Sequence, residues 1–205
     1  TLNGGNNTVY GASGTDNSTA NNGANVIDAG TENDTITANS GINSIDAGAG
    51  DDTINLIAGD NTVLAGSGND TITASGGSNT IATDDGTNTV ILEEGHNSVT
   101  AGVDNDTITA NSGTNTIDAG AGDDKIDLNN GTNSVMAGSG IDTITVASGV
   151  NTIDAGVGDD FITLNGGNNT VYGASGADSI TASNGDNWID AGTENDTITA
   201  NSGTN

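Results

Sequence analysis

The sequence predicts an all-β fold, a right-handed parallel β-solenoid of about eleven coils with 18 residues and two short strands in each coil. Three observations predict this fold. Glycine recurs at every eighteenth residue from Gly5 to Gly203, apolar and polar residues alternate in two short runs within each unit, and only 31% of the residues are hydrophobic. A strict short period indicates a small unit stacked on copies of itself rather than a unique globular core.

The strands are predicted from one unit, Gly41–Ala58. Its runs Asn43–Ala47 and Asp52–Leu56 both alternate inward and outward residues, which is typical of a half-buried β-strand. A glycine-containing turn precedes each run. The inward positions carry mostly Ile and Val along the whole chain, so we expect a thin aliphatic interior between two sheets.

A longer period lies on top of the 18-residue unit. Thr1–Gly14 is repeated at Thr163–Gly176, an offset of 162 residues or nine units. We therefore expect residues 1–205 to form one continuous repeat array and to be a piece of a longer one.

Composition excludes several classes of function. The formal net charge is −27, and Lys125 is the one basic residue, so nucleic acid and anionic membrane surfaces would be repelled while cations would be attracted. No stretch resembles a signal peptide or a transmembrane span. The chain has no Cys, no Arg and a single His, and no nucleophile has a recognisable base, so we predict a protein that is not an enzyme and does not insert into a membrane.

The second turn of each unit carries the motif Ala-Gly-x-Gly-x-Asp-x-Ile-x, as in Ala47–Asn55 and Ala119–Asp127. It resembles the calcium-binding nonapeptide of the RTX (repeats-in-toxin) family, Gly-Gly-x-Gly-x-Asp-x-apolar-x, with Ala in place of the first Gly. The candidate calcium-binding residues are the aspartates Asp16, Asp34, Asp52, Asp70, Asp106, Asp124, Asp142, Asp160, Asp178 and Asp196 and the glycines Gly48, Gly50, Gly66, Gly68, Gly120, Gly122, Gly138, Gly140, Gly156 and Gly158.

The physical argument for calcium is independent of the resemblance. Stacking in register would place the aspartates about 5 Å apart, and such a file is repulsive unless cations lie between its carboxylates. The glycines permit positive φ and can direct carbonyl oxygens to the same gap, and calcium prefers flexible oxygen coordination. The alternative is that these aspartates merely favour turns and are solvated.

The first turn of the unit has Asn at the position where the second turn has Asp, from Asn7 to Asn205. An Asn side chain both donates and accepts, so a file of them can form a hydrogen-bond ladder without metal. We therefore expect multiple calcium ions in one row along one edge only.

Residues 82–96 form an irregular coil. Thr83 and Asp84 replace the usual Ala-Gly, Asn88 replaces the aspartate, and Glu93, Glu94 and His96 are added nearby. We expect a break in the calcium row there; a degenerate repeat and a dedicated acidic site both fit the sequence. Glu32, Asp104 and Glu194 stand at the second-glycine position, where each could add a carboxylate to the metal shell.

The outward residues of the second strand are mostly threonines, such as Thr71 and Thr73. Paired Thr files on a flat face resemble those of hyperactive antifreeze proteins, so ice binding is an alternative function, although Thr is also a good exposed strand residue. The aromatic residues Tyr10, Phe161, Tyr172 and Trp188 are expected to point outward.

The RTX resemblance implies a bacterial protein, secreted or at the cell surface, that leaves the cell through type I secretion and folds when it meets calcium. The leading prediction is a calcium-stabilised structural segment of a fibre, matrix, S-layer or adhesin rod. Calcium is the expected cofactor and partner, together with end-to-end or lateral self-association into fibres.

Overall fold

The chain forms twenty-two strands, and the computed structural model describes all of its residues, 1–205. The strands are β1 (Asn7–Tyr10), β2 (Asn17–Ala20), β3 (Ala24–Asp28), β4 (Thr35–Ala38), β5 (Ile42–Ala49), β6 (Thr53–Leu56), β7 (Asp60–Ser67), β8 (Thr71–Ala74), β9 (Ser78–Ala82), β10 (Thr89–Leu92), β11 (His96–Thr100), β12 (Thr107–Ala110), β13 (Thr114–Ala121), β14 (Lys125–Leu128), β15 (Thr132–Ser139), β16 (Thr143–Val146), β17 (Val150–Val157), β18 (Phe161–Leu164), β19 (Asn168–Tyr172), β20 (Ser179–Ala182), β21 (Asp186–Asp190) and β22 (Thr197–Ala200).

The strands form two parallel sheets of eleven strands each, odd-numbered strands in the first sheet and even-numbered strands in the second. Neighbouring strands pair 18 residues apart, as Asn43 with Asn61 and Ile54 with Ile72. The predicted all-β parallel solenoid with two strands per coil is confirmed. The irregular coil at 82–96 remains part of both sheets, because β9 and β10 each pair with a strand on either side. Nothing in the fold is a helix of the length and hydropathy that a bilayer span requires.

A single core of 35 buried apolar residues runs between the sheets. The predicted inward Ile and Val residues supply most of it, with Ala or Leu two positions further along the strand. Full burial of one such Ile stabilises the fold by about 1.5–3 kcal/mol. Ile198 was expected to face this core but is 49% exposed, because β22 is the last strand of its sheet.

Two edges join the sheets. The Asp edge is the row of turns that lead from the first sheet to the second, such as Ala47–Asp52, and the Asn edge is the row that leads back, such as Ile57–Asn61. Coils approach so closely at the Asp edge that a Cβ on Gly66 would overlap the carbonyl oxygen of Gly48. Gly66 also has a φ of 103°, which glycine adopts without strain.

Candidate metal centre

The aspartates of the repeat lie at the Asp edge, directly before each strand of the second sheet. Asp52 precedes β6, and strand alternation turns its side chain to the same inward face as Ile54 and Leu56. Eight aspartates of the file are no more than 2% exposed: Asp34, Asp52, Asp70, Asp106, Asp124, Asp142, Asp160 and Asp178. Asp16 and Asp196, in the first and last coils, are partly exposed. Burial of the file contradicts the alternative in which these aspartates are solvated turn residues.

One oxygen of each carboxylate is fixed by the coil before it. The backbone N–H of Asp34 donates to Asp52 Oδ1 at 2.7 Å, and the N–H of Asp52 donates to Asp70 Oδ1 at 2.8 Å. The same bond recurs at every step from Asp16 to Asp196 with lengths of 2.7–3.0 Å. These bonds hold the carboxylates in one orientation along the whole edge.

The other oxygen has no partner. Oδ2 is buried without a hydrogen bond in nine residues: Asp16, Asp34, Asp52, Asp70, Asp106, Asp124, Asp142, Asp160 and Asp178. An unpaired buried polar atom costs about 1–3 kcal/mol, and more when it carries charge. Each of these oxygens is therefore free to contact a cation.

The pKa values of the buried aspartates show the same cost of burying negative charge. Burial raises the pKa of Asp52 and of Asp106 to about 6, and it raises the pKa of Asp124 and of Asp160 to about 7. For Asp52, Asp124 and Asp160, the neighbouring carboxylates of the file raise the pKa further, while hydrogen bonds from the preceding coil lower it. Without a cation the file therefore favours protons, and a bound cation would relieve both burial and repulsion.

The donor set fits a hard cation such as calcium, because every candidate ligand is oxygen. No three side chains of His, Cys, Asp or Glu converge on one point, so backbone oxygens would have to complete the coordination. The predicted glycines have the required backbone: φ is 101–114° at Gly48, Gly66, Gly120, Gly138 and Gly156 and 127–146° at Gly50, Gly68, Gly122, Gly140 and Gly158.

Comparison with known proteins decides the family. The family model described as RTX calcium-binding nonapeptide repeat (4 copies) matches residues 1–27, 19–54, 57–90, 82–117, 91–126, 109–144, 127–162, 145–180 and 181–205. The chain belongs to this RTX repeat family. The repeats of the family bind calcium, which supports calcium as the ion of this chain.

Among solved structures, the RTX chain is similar to the crystal structure of a hyperactive, Ca²⁺-dependent, β-helical antifreeze protein from an Antarctic bacterium. The two are 20% identical with a TM-score of 0.57, over 95% of this chain and 83% of that one. At this identity the likeness shows the fold alone. No curated protein gives a significant match.

A second ladder lies outside the RTX aspartates and was missed in the sequence. Asn33 Oδ1 accepts the backbone N–H of Asp51 at 2.9 Å, and Asp51 Oδ1 accepts that of Asn69 at 2.8 Å. The direction is opposite to that of the buried file, since here the acceptor lies in the earlier coil. The recurrence of Asn or Asp one residue before the buried aspartate was the available signal.

At the Asn edge the predicted ladder is confirmed. Asn43 Nδ2 donates to Asn61 Oδ1 at 2.8 Å, and every step from Asn7 to Asn205 repeats this bond at 2.7–2.9 Å. In most coils the second amide hydrogen is donated to the backbone, as from Asn115 Nδ2 to Ser112 O at 3.1 Å. This edge leaves no buried side-chain atom unpaired.

Three pairs of neighbouring coils depart from the RTX glycine pattern in the same way. The first coil of each pair has Ala or Asp at the position that Gly48 occupies in a regular coil. The next coil has Glu or Asp at the position that Gly50 occupies. The pairs are Ala12 with Glu32, Asp84 with Asp104, and Ala174 with Glu194, and all six residues have positive φ of 61–82°. The first-sheet strand is four or five residues long in these coils and eight in the five coils with both glycines.

The acidic residue of such a pair takes over a backbone hydrogen bond. In a regular coil the N–H of Gly140 donates to Val157 O, whereas the N–H of Gly176 donates to Glu194 Oε2 and that of Gly86 to Asp104 Oδ2. Asp104 and Glu194 were expected to add a carboxylate to the metal shell. The structure instead gives each of them a backbone N–H as hydrogen-bond partner.

The irregular coil interrupts the row of free oxygens. Asn88 Oδ1 accepts the N–H of Asp70, and its Nδ2 donates to Gly86 O at 2.8 Å, so this side chain leaves no unpaired oxygen. The added acids do not gather: Glu93 and Glu94 lie at the Asn edge, and His96 begins β11. No three acidic or His side chains of this coil converge on one point, which favours a degenerate repeat over a dedicated acidic site.

Proposed function

We propose that this chain is a calcium-stabilised structural segment of an extracellular protein, and that it folds when calcium binds after secretion. The observation that carries the proposal is the row of buried Oδ2 atoms without a partner at the Asp edge. A row of unpaired anions destabilises the calcium-free coil. A bound calcium ion would give these oxygens the partner that the chain itself does not provide. RTX membership supports the ion, and the aliphatic core supports a rod-like role over a catalytic one.

The ions are proposed to lie in one row, between successive aspartates of the Asp edge and beside the paired glycines. The gap at Asn88 would divide this row. The Asn edge is proposed to bind no calcium, because its amides already satisfy one another. Any calcium bound to the folded coil and not to the unfolded chain stabilises folding by mass action.

Secretion is the setting that the proposal requires. Calcium is scarce in the cytosol and abundant outside the cell, and extracellular calcium modules bind at about 10⁻⁴ to 10⁻³ M. We propose type I secretion of a bacterial chain and a place in a surface fibre, matrix, S-layer or adhesin. Self-association of rods, end to end or side by side, is part of this proposal, and electron microscopy of the native assembly would test it. Enzymatic activity, nucleic-acid binding and membrane insertion are not proposed.

The test of the calcium switch is a titration followed by circular dichroism. The chain is prepared in EDTA, calcium is added stepwise, and magnesium is added in a parallel series. We expect a cooperative gain of β-structure with calcium, its reversal by EDTA, and little response to magnesium, which demands tighter octahedral geometry. Full β-structure in EDTA would contradict the proposal, because the Asn and aliphatic ladders would then be sufficient.

Ice binding is the second candidate function, and one observation favours it. The Thr files of the second sheet are in register, as Thr53 with Thr71 and Thr71 with Thr89. The antifreeze protein with a similar fold adds a precedent for the architecture. Lys125, Asp127 and Phe161 interrupt the files of the same face, which weakens the candidate. Thermal hysteresis in calcium measures ice binding directly, and its absence would remove this candidate.

A further inference from the structure

The outward face of the first sheet carries an aromatic pair near the C-terminal end of the array. The rings of Tyr172 and Trp188 meet edge to face, with centroids 5.2 Å apart and an interplanar angle of 61°. Trp188 is 52% exposed and Tyr172 is 40% exposed. Both rings therefore pack on each other while each keeps an open surface.

Three exposed carboxylates surround this pair. Asp186 and Asp190 are two residues before and after Trp188 on the same face of β21. Asp154 and Asp190 are the register neighbours of Tyr172 on its two sides. None of the three carboxylates makes a hydrogen bond or salt bridge within the chain, and the one lysine pairs with Asp127 on the other sheet.

A shallow groove runs beside the indole. It is lined by Val150, Asn168, Thr170, Asp186, Trp188 and Thr204. Trp188 is the one ring and Asp186 the one carboxylate that line this groove, so an extended side chain lying in it would meet the indole and Asp186 together. No three acidic groups are close enough to chelate a metal here, so a calcium ion does not explain the cluster.

We propose that this face is a docking site for a basic segment of a partner protein, with an arginine side chain on the Tyr172–Trp188 pair. A guanidinium stacks on aromatic rings and pairs with carboxylates through its planar donors, so one group satisfies both features of the site. Charge complementarity selects the partner. A second copy of this chain has no arginine, its one lysine pairs with its own Asp127, and its net charge of −27 opposes self-association at an acidic site. A neutral glycan could stack on the rings but would leave the three carboxylates without a role.

The repeat contains its own control. Tyr10 is equivalent to Tyr172 at the 162-residue offset and Asp28 is equivalent to Asp190, but Val26 stands in place of Trp188 and Ala24 in place of Asp186. The sheet pairs Tyr10 with Asp28 as it pairs Tyr172 with Asp190. The same backbone therefore carries a complete site near one end and an incomplete one near the other.

The test uses a dye-labelled peptide with two arginines, and the same peptide with citrulline, in saturating calcium. Fluorescence anisotropy measures peptide binding to the wild type and to W188V, D186A and D118A, after circular dichroism has shown that each is folded. Asp118 is an exposed-face residue of the same file, two coils before Asp154, so D118A matches the charge change of D186A away from the rings. Trp188 is the one Trp of the chain, so its emission independently reports contact in the wild type.

We expect the arginine peptide to bind and the citrulline peptide to bind at least about ten-fold more weakly. Binding should weaken about ten-fold in W188V and about three-fold in D186A, with D118A unchanged. The double variant V26W/A24D should add a second, weaker site, because Tyr10 lies on the edge strand and has no counterpart of Asp154 beside it. Equal binding of both peptides, or equal binding to the wild type and W188V, would overturn the proposal, since either result means non-specific attraction to an acidic rod. Quenching of Trp188 by a neutral oligosaccharide and not by the arginine peptide would overturn it in favour of a glycan.

Discussion

The two edges of the solenoid perform the same structural task with different chemistry. At both edges a polar side chain is buried once per coil and bonds to a neighbouring coil. The Asn edge closes its hydrogen bonds by itself, while the Asp edge leaves one carboxylate oxygen unpaired in coil after coil. The amides of the Asn edge donate to one another, whereas the carboxylates of the Asp edge only accept, so a backbone N–H pairs one oxygen and the other is left without a donor.

The comparison teaches that periodic stacking multiplies a small local choice. One unpaired Oδ2 would be a small cost in a globular protein, but a file of them repeats the cost in coil after coil, and this sum is what we propose calcium to offset. The Asn edge and the aliphatic core stabilise the coils by interactions that do not involve the Asp edge.

The largest effect is expected from pH, because it acts on many aspartates at once. Asp52, Asp106, Asp124 and Asp160 have folded pKa values raised to about 6 or 7. A raised carboxyl pKa stabilises the folded state below the unfolded pKa of about 3.9, and that contribution is lost as pH rises through the folded pKa. In EDTA we therefore expect a higher melting temperature at about pH 5 than at about pH 8.

Calcium should reverse this order, because protons and calcium compete for the same oxygens. The half-saturating calcium concentration should be higher at low pH than at high pH. Thermal melts by circular dichroism, at several pH values with EDTA or with calcium, measure both effects. A calcium-free melting temperature that rises with pH would show that the Asp edge is not the source of the instability.

The next largest effect is expected from a charge placed in the Asn edge. N133D removes the donor to Asn151 and leaves a buried carboxyl group in the ladder. We expect a loss of about 3 kcal/mol at neutral pH, with or without calcium, because this edge offers no cation site. Denaturant unfolding measures the loss. The control is N133S, which removes the amide without adding charge; if calcium rescued N133D and not N133S, the edges would be chemically alike.

A glycine exchange tests the paired departures at the Asp edge. G138A places a Cβ at a φ of 114°, where it overlaps the carbonyl oxygen of Gly120, so we expect a loss of about 1–3 kcal/mol. G158E alone should also destabilise, because its Cβ would overlap the carbonyl oxygen of Gly140, but it should cost less beside G138A, where the pair recreates the spacing of Ala174 and Glu194. A double-mutant cycle built from the free energies of unfolding of the wild type, the two single variants and the double variant measures the coupling. Strict additivity would mean that the acid does not compensate for the lost glycine.

The smallest and most specific effect is expected from single exchanges in the file. D142N should repeat the geometry of Asn88, whose Oδ1 accepts from the earlier coil and whose Nδ2 donates to Gly86 O. We expect D142N to be more stable than the wild type in EDTA, less stable in calcium by about 1–2 kcal/mol, and to bind fewer ions. N88D should change all three quantities in the opposite direction. Calorimetric titration and melts of both variants measure them, and equal calcium binding in D142N would place the ions elsewhere.

Much of this arrangement follows from the sequence because the period is strict. The spacing of Ile45 and Ile54 predicts two inward strands, and unvarying Asn and Asp positions predict two buried files. The eight-residue strands were not predicted, since they continue through Ala47 and Gly48 only where the glycines of neighbouring coils lie in register. The pairing of Ala174 with Glu194 was missed for a related reason. It depends on a hydrogen bond from the backbone of one coil to a side chain of the next, and the pattern within one unit does not show contacts between coils.

The number of calcium ions bound per folded chain tests the central claim most directly. Equilibrium dialysis at saturating calcium, followed by elemental analysis, gives this number for the wild type. One occupied edge predicts no more than about one ion for each of the nine unpaired Oδ2 atoms. About two ions per 18-residue coil would contradict the account, because the Asn edge would then bind calcium as well.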